Sequence, residues 1–258
     1  MDQHLSFWDC DCSFGRRSVV NPGSFYKLED LLEHMQFYGI DRALVYHAMA
    51  REYDPVLGNN LLLQEIAGQD RLDPVWVVMP HHTGEFPAPA VLLEQLRRNN
   101  VRAVRMFPGD NDHAYSLAGW NSGELLSMLA DQKIPLLIGM DQLNWNDLHA
   151  LGNDYPGLVV ILSGVGYGSD RNLYPLLRKF ANLHIETIGY KPHNGIEEFC
   201  RLFGAQRLIF GSGMPVFSGG SAVSMINYAR ISDAEKQLIT GGNLARLLSG
   251  AGKKPEKA

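Results

Sequence analysis

Two hydrophobic periods alternate along the chain. Short apolar runs of strand length occupy Phe7–Cys12, Arg42–His47, Leu72–Met79, Val101–Phe107, Pro135–Met140, Leu158–Ser163, Leu183–Thr187 and Leu208–Ser212. Between them lie segments with helical spacing: Phe25–Phe37, Gly58–Ala67, Pro87–Asn99, Gly123–Gln132, Trp145–Asn153, Asp170–Phe180, Asn194–Phe203 and a closing Asp233–Leu248. The first helix shows the pattern at Leu28, Leu31, Leu32 and Met35 and ends at Gly39, since glycine tolerates the left-handed cap. Pro80 and Pro108 stop the third and fourth strands. The runs VWVVM and LVVIL are apolar on both parities, which suits a parallel sheet buried on both faces. Eight such alternations predict an α/β fold, either a closed (β/α)8 barrel or an open doubly wound sheet. The open sheet calls for a glycine-rich phosphate loop after the first strand. Cys12–Arg17 reads CSFGRR, with one glycine, so the (β/α)8 TIM barrel is the expected architecture.

Length fits one domain. At 258 residues the chain has the ordinary size of a single barrel, with residues 1–249 forming it and 250–258 (GAGKKPEKA) a flexible polar tail. Hydrophobic residues make up 45% and the net charge is −5, with no basic cluster that points to nucleic acid. No run of about 18 apolar residues predicts a membrane span. The opening MDQHLSFWD has neither a basic nor an apolar leader region, and Cys10 and Cys12 are expected to stay reduced, so a cytoplasmic location is expected.

In a barrel of this kind, chemistry collects where the strands end at their C-termini. There the sequence puts Asp9, Asp11 and Ser13; His47; His81; Arg105; Gly139 and Asp141; Ser163 and Gly164; Glu186; Ser212 and Gly213. Strand alternation places Asp9, Asp11 and Ser13 on one side and Cys12 on the other. Asp11 reads as a general base or single oxygen ligand, or as a partner of Arg105. Asp9 lies deeper and reads as a hydrogen-bonding partner of neighbouring strands. His47 can exchange a proton near neutral pH or serve as a wall residue. An inward Arg105 must be paired with Asp9, Asp11 or Glu186, or must bind an anion, because an uncompensated buried charge costs several kcal/mol. Glu186 needs a partner for the same reason. His81 follows Pro80 in a loop. Asp141 lies beyond Gly139 and is expected to be solvated. Gly164-Val165-Gly166-Tyr167-Gly168 could cradle an anion or pack closely. The stretch Gly109–Ser116, with Asp112 and His113, reads as a loop folding over the pocket, and Pro215–Ser221 as a mobile loop.

These residues resemble the amidohydrolase superfamily, specifically its amidohydrolase-related group. The resemblance runs over nearly the whole chain. It rests on Asp9-Cys10-Asp11-Cys12-Ser13 followed by Phe14-Gly15, on Phe210-Gly211-Ser212-Gly213-Met214-Pro215, and on Gly242-Asn243-Leu244-Ala245-Arg246-Leu247-Leu248. Asn182–Tyr190 and Val101–Pro108 look like the family's seventh and fourth strands. The resemblance implies a divalent metal held by two first-strand histidines, one on the fifth strand, one on the sixth and an eighth-strand aspartate. Those positions fall on Asp11, Ser13, the neighbourhood of Gly139, Gly164 and Gly213. Glycine carries no ligating atom, so neither metal nor other cofactor is expected. It also implies dimers or larger assemblies, a homo-oligomer.

Three readings follow. In the first, Asp11, His47, Arg105 and Glu186 carry metal-independent hydrolysis or related acid/base chemistry on a small, anionic substrate. Asp9, Ser13, His81, Asp141, Gly164, Ser212 and Gly213 then line its pocket. In the second, the barrel is an inactive descendant that binds a small molecule or assembles with a partner. In the third, Asp9, Asp11, Glu186 and a histidine such as His47 rebuild an oxygen-rich site for Mg²⁺ or Mn²⁺.

Overall fold

The structure, a computed structural model, describes residues 5–252. Eight parallel strands follow one another round a barrel in the order of the sequence. They are β1 (Phe7–Phe14), β2 (Ile40–His47), β3 (Leu72–Val77), β4 (Ala103–Arg105), β5 (Leu136–Gly139), β6 (Val160–Ser163), β7 (Leu183–Glu186) and β8 (Leu208–Ile209). Backbone bonds from Cys10 N to Phe210 O (3.0 Å), Gly213 N to Asp11 O and Ser13 N to Met214 O (both 2.9 Å) join β1 to the segment after β8 and close the ring. The helices between them are α1 (Leu28–Tyr38), α2 (Ala48–Glu52), α3 (Pro55–Glu65), α4 (Pro89–Arg98), α5 (Gly119–Asp131), α6 (Trp145–Asp154), α7 (Asp170–Lys179) and α8 (Gly195–Phe203). Three more, α9 (Gly219–Asn227), α10 (Asp233–Gln237) and α11 (Asn243–Gly250), follow β8. A π turn at Leu238–Gly242 joins the last two, and Ile239 O within it accepts from Phe210 N (3.0 Å).

Two apolar layers account for the doubly apolar strands. Val75, Val77, Leu137, Ile161 and Ile209 pack inside the barrel, while Trp76, Val104, Ile138, Leu162 and Ile185 pack outward against the helices. Local chemistry sets the helix ends. Gly39 caps α1 in the left-handed region (φ 72°). Asp54 accepts from Leu57 N (2.7 Å) with Pro55 in the first turn of α3, and Asn144 with Asp147 forms a capping box on α6. Asn59 of α3 exchanges two hydrogen bonds with the backbone of Val77 (2.8 and 2.9 Å), fixing that helix to β3.

Two elements differ from the sequence expectation. The short helix α2 follows β2 directly, capped by His47 Nδ1 accepting from Met49 N (3.1 Å). The expected Pro215–Ser221 loop runs into α9, which buries Ala222 and Ile226. The expected tail is shorter than residues 250–258, for Gly250 still belongs to α11 and Gly252 N donates to Gln132 O (2.8 Å). Residues 253–258 of that tail lie outside the described residues.

Helices α2 and α3 cross so closely that a Cβ at Gly58 would fall on the backbone of Ala50. Alanine is favoured over glycine inside a helix by about 1 kcal/mol. Here the neighbour is main chain and cannot swing aside, so overpacking of about 1–3 kcal/mol outweighs that gain. Gly58→Ala is therefore expected to lower stability in urea unfolding, and an unchanged or raised midpoint would show that the two helices part freely.

Candidate active site

The first strand decides which side chains meet. Between Asp9, paired with Ala43, and Cys12, paired with Val45, β1 carries three steps against two on β2. This bulge reverses the alternation. Cys10 joins the inner apolar layer, whereas Cys12, the same parity, joins the outer one. A bulge of this kind lets successive residues share a face. Asp11 therefore points inward beside Cys10, and Ser13, in register with the inner-layer Tyr46, does too. Asp9 is in register with outer-layer Ala43 and sits between β1 and β8. The expectation that Asp9, Asp11 and Ser13 share one side is corrected by the bulge.

Inside the mouth, buried Arg105 of β4 donates from Nη1 to part-buried Asp11 Oδ1 in an ion pair, and from Nη2 to Ser163 Oγ (3.3 Å). Its guanidinium lies 5.0 Å from the Tyr46 ring centre and 5.2 Å from that of Phe107. Burial opposes its charge, but Asp11 more than compensates and holds its pKa above the ordinary arginine value. Glu186 of β7 is fully buried. Its Oε1 accepts from Ile188 N, and its Oε2 has no hydrogen-bond partner among the described residues. Burial, reinforced by the charge of Asp11, pushes its pKa well above the usual carboxylate range. Gly211 makes room for it, since a Cβ there would come within 2.6 Å of Oε1. Asp9 is equally buried, with Oδ1 accepting from Asp11 N and Ser212 N (both 2.9 Å), and burial pushes its pKa up to about 6.

The remaining predicted residues divide. Asp11, Arg105, Glu186 and Ser163 come together. Ser13 is buried at the mouth and accepts from Arg17 Nη2 (2.6 Å). Asp141 folds back so that a Cβ at Gly139 would fall on its Oδ1, and it also accepts from Gln142 Nε2 (3.0 Å). At Gly213 the Phe217 ring would stand 2.8 Å from a Cβ, while at Gly164 the nearest atom is 4.0 Å away. His47 does not join this group. Its ring packs edge-on against outer-layer Phe14, caps α2 and faces Glu65 of α3 (3.6 Å). Burial lowers its pKa. His81 sits in the β3–α4 connection, 3.8 Å from Glu124. Ser212 points to the outer layer, 3.5 Å from Cys12 Sγ.

A polar network reaches over the mouth beyond what the sequence reading named. Arg51 of α2 pairs with both oxygens of Asp112 (2.7 and 3.1 Å) and lies over the Phe107 ring, on which Arg105 also rests. Asp112 accepts from Gln142 Nε2 (2.7 Å), and Gln142 Oε1 accepts from Gly109 N (2.9 Å). Burial alone would raise the Asp112 pKa, but the bonds from Arg51 and Gln142 lower it. The loop expected to fold over the pocket is thus pinned by Asp112. Gln142 carried no signal in the sequence.

Comparisons with known proteins bear on this arrangement. The family model for amidohydrolases matches residues 24–249. The chain belongs to the amidohydrolase family. No curated protein matches it. Among solved structures, an uncharacterised TIM-barrel protein from Bordetella bronchiseptica is 18% identical, with 96% of this chain and 100% of that one covered and a TM-score of 0.74. A 2,6-dihydroxybenzoate decarboxylase from Rhizobium is 17% identical over 95% of this chain and 99% of that one, TM-score 0.72. A dihydroxybenzoic acid decarboxylase from Polaromonas, solved with bound manganese and an inhibitor, is 13% identical over 95% and 97%, TM-score 0.71. At these identities the likeness is one of fold.

The donor set does not fit the divalent metal that the family implies. Asp11 is committed to a guanidinium, whose charge opposes a second cation beside it. Ser13 is committed to Arg17, and Gly139, Gly164 and Gly213 offer no side-chain donor. Among the described residues no three His, Cys, Asp or Glu side chains are placed to hold a metal ion. The rebuilt site of Asp9, Asp11, Glu186 and His47 does not assemble, because Asp9 and His47 lie on the outer face.

Asp9 gives this centre a pH signature. Its folded pKa of about 6 exceeds the ordinary 3.8, so the native state holds a proton that the unfolded chain releases. That contribution is fully present below about pH 3.8 and is lost as pH rises to about 6, a change on the order of 3 kcal/mol. Asp9→Asn keeps an acceptor for the two backbone amides and removes the titration. Urea unfolding between pH 4 and 7 is expected to show the variant gaining on the parent as pH rises, and parallel curves would rule the account out.

Proposed function

We propose that this barrel carries out acid/base chemistry on a small molecule at its mouth without a divalent metal. The observation that supports it is the ion pair of Asp11 and Arg105 beside a buried, proton-retaining Glu186. A carboxylate paired with arginine, a second carboxyl group that burial inclines to keep its proton, and the guanidinium itself are suited to the roles of general base, general acid and electrostatic stabiliser.

For hydrolysis of an ester or lactone the roles are specific. Asp11 takes a proton from the attacking water while the water oxygen bonds to the carbonyl carbon. Arg105 and Ser163 hold the oxyanion that forms. Glu186 delivers its proton from Oε2 to the leaving oxygen as that C–O bond breaks, and the proton on Asp11 returns through solvent. In a decarboxylation, the reaction named for two of the neighbours, the same Glu186 proton would go to the carbon left by CO₂. His47 takes no part, since its ring lies on the helix side of β2.

The test is a panel of ester, lactone, amide and carboxylated-phenol substrates assayed with and without chelator. Turnover is expected to survive chelation, and Asp11→Asn or Glu186→Gln is expected to lower kcat by about 10²–10⁴. Activity abolished by chelation, or no turnover across the panel, would overturn the proposal. Ligand-stabilised melting without turnover would make the barrel a binding protein instead.

A further inference from the structure

Three guanidinium groups stand at the mouth, and two are neutralised. Arg105 is paired with Asp11, and Arg51 with Asp112 and, at 3.7 Å, with Asp141. Arg17 is different. Its hydrogen bond among the described residues goes to a neutral group, the Ser13 hydroxyl (2.6 Å), and no carboxylate there lies within ion-pair distance of it. Ser13 is buried and in register with Tyr46, whose ring lies under Arg105, so the Arg17 guanidinium is on the inner side of the mouth.

Arg17 is also held there. The β1–α1 connection turns back at Gly15, where φ is +97° and a Cβ would meet the His47 ring at 2.7 Å. Gly15 N donates to Tyr26 O (2.7 Å), closing the base of the connection, and Ser18 N donates to the Glu52 carboxylate of α2. A half-buried cation between two backbone anchors, with a hydroxyl as its partner, leaves most of its donors free.

We propose that Arg17, with Ser13, is the residue that recognises the substrate, by binding a single carboxylate on it. This inference rests on the small-molecule site described above and names the chemical group that site selects. One free guanidinium offers one positive charge and a planar fork that matches a carboxylate. The carboxylate of Glu52, which accepts from Ser18 N next to Arg17, disfavours a second negative charge, so a monoanion fits better than a phosphate dianion. Arg17 is a binding residue and takes no part in proton transfer.

The experiment measures binding rather than turnover, so that its failure is separate from failure of the acid/base reading. Benzoate, its neutral amide benzamide and inorganic phosphate are titrated by calorimetry into the full chain and into Arg17→Gln and Arg17→Lys. Benzoate is expected to bind the parent and to lose 10- to 100-fold in affinity in Arg17→Gln, with part recovered in Arg17→Lys. Benzamide is expected to bind the parent more weakly than benzoate by a similar factor. Equal benzoate affinity in the parent and Arg17→Gln, or none in the parent, would overturn the assignment of Arg17. Phosphate binding as tightly as benzoate would overturn the assignment of a monoanion. In each of those cases the turnover of Asp11 and Glu186 variants still stands or falls by its own assay.

Discussion

The ion pair of Asp11 and Arg105 is the constraint on which the rest of the mouth depends. A guanidinium that faces into a barrel needs a counter-charge, because burying it alone costs several kcal/mol. Asp11 supplies that charge, and once it is committed the neighbouring carboxyl groups cannot share the arginine on equal terms. Glu186 and Asp9 therefore meet burial with hydrogen bonds from backbone amides to one oxygen and with raised proton affinity. Pairing and raised proton affinity limit the buried charge, where the family resemblance implies a metal ion.

The bulge in β1 makes this pairing possible. With regular alternation Asp9 and Asp11 would share one face, so Asp11 could not meet Arg105 inside while Asp9 sat at the seam with β8. The extra residue sends Asp9 to the seam with β8, where it accepts from Ser212 N, and leaves Asp11 inside with Cys10. Cys10 and Cys12 end in different layers, and burial raises both thiols far above the range in which they ionise. Neither is a nucleophile at neutral pH. Gly211 completes the fit by leaving the space that Glu186 fills.

Much of the barrel was legible in the sequence because its signals are local. Apolar runs on both parities report burial on both faces, and Gly39, Asp54 and Pro55 report helix ends through their own backbone chemistry. The strand ends were legible as places, and Asp11, Arg105 and Glu186, expected there, lie at the mouth of the barrel. The direction of a side chain was not, wherever it depended on register. Alternation misplaced Asp9, since a bulge leaves no mark in composition. His47 looked available because it ends a strand, but it follows outer-layer Val45 by two residues and turns to Phe14 and Glu65. Helix α9 hid behind Ser218-Gly219-Gly220-Ser221, which reads as a loop until Tyr38 is seen packed against both glycines. Gln142 gained its place from contacts with Gly109 and Asp112, about thirty residues away, that only the folded barrel brings together.

A guanidinium is not equivalent to a metal ion. It offers charge and directed N–H groups, yet it has no open coordination position at which water could be acidified. A carboxyl group that gives up protons near neutral pH must have a raised pKa. Burial raises that of Glu186, and the same burial brings the low-dielectric surroundings in which, on the proposed mechanism, Arg105 would act strongly on a developing oxyanion. The pairing of Asp11 with Arg105 and the raised proton affinity of Glu186 are thus linked consequences of one arrangement. The arginine neutralises Asp11, and the buried carboxyl group it does not reach answers with a raised proton affinity.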